Sequence, residues 1–120
     1  MNNQIEEIDK KVKKEVARLK TIYKELPSAS AAIVEGLIVE AARLRVSLDM
    51  LWLDITLNGD VELFSQSDKT EPYERERPAA RIYNSRNKAY QTIIKQLNDL
   101  KPEANKEDDE LISFLNGGKR

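Results

Sequence analysis

The chain has 120 residues, 40% of them hydrophobic and 34% charged, with a formal net charge of −1. Cysteine and histidine are both absent, which excludes disulfides, thiol chemistry, the usual acid–base group at neutral pH and the commonest zinc ligands. The length suits one domain with one modest core, and the charge suits long helices with one wet face, completed by pairing with copies of the same chain.

The function classes narrow further. No run of about 18 apolar residues is present, so no membrane span is expected, and Met1-Asn2-Asn3-Gln4 lacks the pattern of a signal peptide. A metal site would need carboxylates and would suit Mg²⁺ or Ca²⁺. Glu35 and Glu40 are five apart and do not share a helix face, and Glu107 to Glu110 reads as a solvated helix start. The four glycines, Gly36, Gly59, Gly117 and Gly118, form no phosphate-binding loop. No cofactor, no metal and no catalytic residue is therefore expected, and the chain is not expected to be an enzyme.

The first predicted element is a basic helix over 4–26, within an N-terminal unit 1–27. Ile5, Ile8, Val12, Val16, Leu19, Tyr23 and Leu26 form one apolar stripe, and Pro27 ends it. Residues 1–27 carry seven basic and five acidic groups, with the pairs Glu6–Lys10 and Glu7–Lys11 at helical spacing. Lys10, Lys13, Lys14 and Arg18 are the densest cluster and are candidates for phosphate contact; the alternative is a solvated face.

Ser28 or Ser30 can cap a second helix running to about Leu57, roughly 42 Å long. Its seam is Val34, Leu37, Ala41, Leu44, Leu48, Leu51 and Ile55. Beside it lies a second apolar row, Val39, Val46, Met50, Leu53 and Leu57, with Trp52 on a third face. A helix this apolar must be buried on several sides, so Val46, Met50, Trp52, Leu53 and Leu57 are the expected assembly residues of an oligomer larger than a dimer. Asn58-Gly59 closes the helix.

Residues 58–77 form an inserted loop with two short extended runs, Val61 to Ser65 and Thr70 to Glu74, read as an ordered loop or small β-hairpin. Pro72 makes the second run an edge strand. Residues 59–77 hold three basic and six acidic groups, and residues 78–100 four basic groups and one acid. Pro78 starts a third helix with the stripe Tyr83, Tyr90, Ile93, Leu97 and Leu100, Arg86 completing the spacing, and Pro102 stops it. Arg81, Lys88 and Lys95 recur every seven residues as a second candidate line for phosphates. Tyr83 and Tyr90 lie on the apolar stripe, where core packing is the expected role. A short acidic helix over 106–115, capped by Asn105, is expected within the tail 103–120. The predicted fold is thus all-α: a long antiparallel helical hairpin over 28–102, with the first helix and the last on its flanks.

The stretch from Leu53 to Pro102 carries a further pattern: the apolar helix ending in Asn58-Gly59, then Val61-Glu62-Leu63-Phe64-Ser65-Gln66, Glu76-Arg77-Pro78-Ala79-Ala80, Tyr83-Asn84, Lys88, Tyr90, and Ile93-Ile94-Lys95-Gln96-Leu97-Asn98-Asp99-Leu100. Over roughly residues 35–102 the chain resembles the small terminase subunits of tailed bacteriophages, particularly phages of Gram-positive hosts. The resemblance implies a ring-forming, non-catalytic subunit in the host cytoplasm. Such subunits bind phage DNA and assist a large subunit, which holds the ATPase and nuclease. Many members begin with a helix-turn-helix; here a single helix precedes Pro27. The alternative is an oligomeric helical adaptor or regulatory protein without nucleic-acid binding.

Overall fold

The computed structural model describes residues 2–27 and 30–101. Helix α1 (Asn2–Ile22) is followed by helix α2 (Ala31–Asn58), strands β1 (Val61–Phe64) and β2 (Tyr73–Glu76), and helix α3 (Pro78–Asp99). The protein is mainly helical with one two-stranded antiparallel sheet. The expected helix 106–115, its cap Asn105, the stop at Pro102 and the candidate cap Ser28 lie outside the described residues.

Element ends differ from expectation in instructive ways. α1 stops at Ile22, several residues before Pro27. The amide of Tyr23 donates to the Leu19 carbonyl at 2.9 Å and that of Leu26 to the Tyr23 carbonyl at 3.2 Å, a tightened turn that begins the reversal. Ser30 stands at the cap position of α2, but its hydroxyl makes no capping bond. The second extended run is β2, Tyr73–Glu76, rather than Thr70 to Glu74, because Pro72 has no amide to give the ladder.

The core sits where all three helices meet. Leu19 of α1, Tyr23 in the turn just after it, Ile38, Ala41 and Ala42 of α2, and Leu97 of α3 are buried together, with Val12, Val16, Tyr90 and Ile93 packed around them. Alanine at positions 41 and 42 lets the helices approach closely. Each residue of the predicted seam on α2 is at least partly buried. Ile38 and Ala42 belong to neither predicted row, yet both are enclosed because α1 crosses α2 at that level. The Tyr23 hydroxyl donates to Asn98 Oδ1 at 2.9 Å and ties the end of α1 to the end of α3. Lys20 of α1 reaches Glu35 of α2 at 3.1 Å.

Toward the far end of α2 the partners are Arg86 with Ser47, Trp52 with Tyr83, and Arg77 with Asp54. Residue numbers rise along α2 as they fall along α3. β1 and β2 extend beyond that end, in the register Val61↔Glu76, Glu62↔Arg75, Leu63↔Glu74 and Phe64↔Tyr73. One face of the ribbon is held by Phe64 edge-on to Tyr73 at 5.8 Å, by Arg75 over the Phe64 ring at 3.6 Å, and by the Arg75–Glu62 ion pair at 2.8 Å. Val61 and Leu63 occupy the other, exposed face.

The two described glycines give opposite expectations. Gly59 has φ 86 and ψ 175, a region open essentially to glycine alone, and its amide donates to the Ile55 carbonyl at 2.7 Å. Gly59→Ala should cost about 1–3 kcal/mol although nothing lies within 4 Å of the added carbon. Gly36 lies inside α2 with the same open space around it. Gly36→Ala should stabilise by about 0.5–1 kcal/mol. Thermal unfolding of the two variants beside the wild type checks both signs.

Candidate nucleic-acid and assembly surfaces

Lys10, Lys13 and Lys14 are exposed on α1, away from its apolar stripe. The pairs Glu6–Lys10 and Glu7–Lys11 do not close: none of these four residues takes part in an ion pair among the described residues. Arg18 differs. Its Nε and Nη2 donate to the two Glu15 oxygens at 2.9 and 2.6 Å, and this bonding raises its pKa above the ordinary arginine value. Arg18 is thus half-committed within its own helix, while the three lysines are available.

On α3, Arg81 and Lys88 are exposed and without an ion-pair partner among the described residues. Lys95 pairs with Asp99 at 3.1 Å, one turn on, and remains largely exposed. The two candidate lines therefore lie on separate helices, and within one chain the structure does not merge them.

Four arginines that sequence reasoning passed over, or read only for spacing, serve the fold instead. Arg86 donates to the Ser47 hydroxyl, joining α3 to α2. Arg45 lies 5.2 Å from the Tyr90 ring centre and pairs with Asp49 at 3.0 Å. Burial pulls its pKa down, but the Asp49 charge and hydrogen bond outweigh this and leave it raised. Arg75 locks the ribbon as described above. Arg77 is the most connected: it donates to the Gly59 carbonyl at 2.6 Å and to both Asp54 oxygens at 3.0 and 3.2 Å. Only the strand register could have revealed the Arg75–Glu62 pair, and the Arg77 clasp links positions 23 residues apart.

Arg77→Leu should loosen the β ribbon where it joins the helices. A bond from a charged donor contributes about 1.5–3 kcal/mol, so losing the one to Gly59 should speed amide exchange in β1 and β2 at least roughly tenfold, read by hydrogen–deuterium exchange. The clasp also depends on pH. Hydrogen bonds from Asn58 and then Arg77 hold the Asp54 carboxyl below the usual carboxylate range. Its contribution is complete above the unfolded value of about 3.9 and is lost as the pH falls through the lower folded value.

The assembly residues divide. Val46 is only 6% exposed, so it belongs to this chain's own interior. That corrects the expectation: its side chain is enclosed within this chain, next to residues of α1. Met50, Trp52, Leu53 and Leu57 are all exposed, at 47%, 57%, 60% and 72%. Trp52 leans on Tyr83 with ring centres 5.6 Å apart, and its remaining surface faces outward. The radius of gyration is 19.3 Å, against about 14 Å for a compact globule of this length. An extended molecule of this size leaves large side chains bare.

No family model, no curated protein and no solved structure matches the chain. Among the described residues no three carboxylates stand close enough together to hold a metal ion. No helix there is long and apolar enough to cross a membrane.

Proposed function

We propose that this chain is the non-catalytic small subunit of a tailed-phage terminase, which assembles into an oligomer larger than a dimer, binds viral DNA and assists a large subunit during genome packaging. The supporting observation is the combination on α2 and its neighbours. Met50, Trp52, Leu53 and Leu57 are bare on the far half of a long helix, beside helices that carry unpaired cations. α2 and α3 form the antiparallel hairpin of such a subunit, with the β ribbon at its tip. The resemblance over residues 35–102 supplies the biological context. Work on DNA then belongs to the large subunit, and the chain by itself should turn over no ATP.

A net charge of −1 gives no long-range pull toward DNA, so affinity comes from local lines of cations multiplied around an oligomer. Each phosphate neutralised adds about 0.9 to the slope of log affinity against log salt. Replacing Lys10, Lys13 and Lys14 by glutamine should lower affinity and reduce that slope by up to about 3, while leaving assembly intact. Fluorescence anisotropy with duplex DNA across a salt series measures this. Equal binding by the variant moves the contact to Arg81, Lys88 and Lys95. No binding by the wild type at low salt favours the helical adaptor.

A further inference from the structure

Two bare surfaces of the chain carry matching patterns. On a β ribbon, directly opposed residues share a face, and so do alternate residues along one strand. The register Val61↔Glu76 and Leu63↔Glu74 therefore puts Val61 and Leu63 in one row, with Glu76 and Glu74 in the row beside it. All four are exposed. Neither glutamate has a cationic partner among the described residues, because Arg75 is engaged by Glu62 on the opposite face. The second surface is a crevice of about 630 Å³ between α1 and α2. Met50 and Leu53, both exposed, form an apolar row on its α2 side, and Lys11 and Lys14 stand on its α1 side. Glu15 and Asp49 also line it, but Arg18 and Arg45 engage them. Lys11 and Lys14 have no carboxylate partner among the described residues.

We propose that the β ribbon of one copy docks in the α1–α2 crevice of the next. The contact rests on the assembly proposed above. Val61 and Leu63 cover Met50 and Leu53, and Glu74 and Glu76 meet the two lysines. The spacings agree. Val61 and Leu63, like Glu74 and Glu76, are about 7 Å apart along a strand. Lys11 to Lys14, like Met50 to Leu53, is about 4.5 Å of helical rise, and the long lysine and glutamate side chains take up the difference. Within one chain the contact is not made. The Arg77 clasp to Asp54 and Gly59 holds the ribbon beyond the end of α2, and Val61, Leu63, Met50 and Leu53 all stay exposed. The two docked faces differ, so the contact is head-to-tail. Each copy gives its ribbon to one neighbour and its crevice to another, and the series ends where the rotation closes a ring. Leu63 then serves association rather than the fold of a single chain. Lys14 also belongs to the DNA-binding set, but Lys10 and Lys13 do not line the crevice and stay open to phosphates. Glutamine at position 14 removes one exposed attraction and leaves Lys11 and the apolar contact in place.

The test is charge exchange across the contact in the full chain, read as mass by gel filtration with light scattering, at low salt and without DNA. One variant carries Lys11→Glu and Lys14→Glu, the other Glu74→Lys and Glu76→Lys; circular dichroism verifies that both fold. Each variant sets like charges against like. Each should therefore need roughly tenfold more protein than the wild type to assemble, since two exposed attractions become repulsions. A chain carrying all four substitutions restores opposite charges and should regain the wild-type mass. An equimolar mixture of the two variants also restores them at every alternating contact and should associate where neither variant does alone. A wild-type mass of one or two chains overturns the assembly reading, and this contact with it. A wild-type oligomer whose assembly neither reversal weakens overturns the contact alone, and so do reversals that the chain with all four substitutions does not rescue.

Discussion

Leu97→Ala is expected to lower the unfolding free energy by about 3–5 kcal/mol, a large share of the stability of a domain this size. Leu97 is 0% exposed and lies where α1, α2 and α3 converge. The neighbours cannot close over the lost atoms, because Ala41 and Ala42 already bring the backbones near and Tyr23 is tethered to Asn98. Leu63→Ala, at a position 74% exposed on the β ribbon, should change stability by no more than about 0.5 kcal/mol. Urea unfolding followed by circular dichroism compares the two at one protein concentration, since assembly would add stability by mass action. A loss below about 1 kcal/mol for Leu97→Ala would contradict a three-helix core at this level.

Leu53→Glu combined with Leu57→Glu is expected to turn the proposed oligomer into a monomer with unchanged helix content. Both leucines are exposed on the last turns of α2. Full burial of each contributes about 1.5–3 kcal/mol, so two per surface weaken an interface by at least about a hundredfold. The introduced carboxylates would also lose solvation there. Glutamate is a good helix former, so α2 should survive. Gel filtration with light scattering decides the matter. A wild-type mass of one chain at micromolar concentration sinks the assembly reading. A variant that keeps the wild-type mass moves the interface elsewhere, with the Val61 and Leu63 face next to test.

The sequence by itself determined the helices and their order. Apolar spacing over Ile5 to Leu26, over the α2 seam and over Tyr83 to Leu100 is a local signal, and Pro78 and Gly59 act through their own backbone dihedrals. The extended runs around 61–76 were legible for the same reason, although the ladder register was not. The sequence also singled out Met50, Trp52, Leu53 and Leu57 as more apolar surface than one chain needs. What the tertiary structure decided is which side of α2 faces which partner. α1 packs on α2 at Ile38 and Ala42, so Ile38 entered the core, and Val46, enclosed within this chain, left the assembly set. Helical periodicity gives angles around one axis, not where a second axis crosses it. The arginine clasps follow the same division. Arg77 with Asp54 and Gly59, and Arg86 with Ser47, join residues far apart in the chain, and a guanidinium on a sequence looks the same whether it will bind a phosphate or a carbonyl.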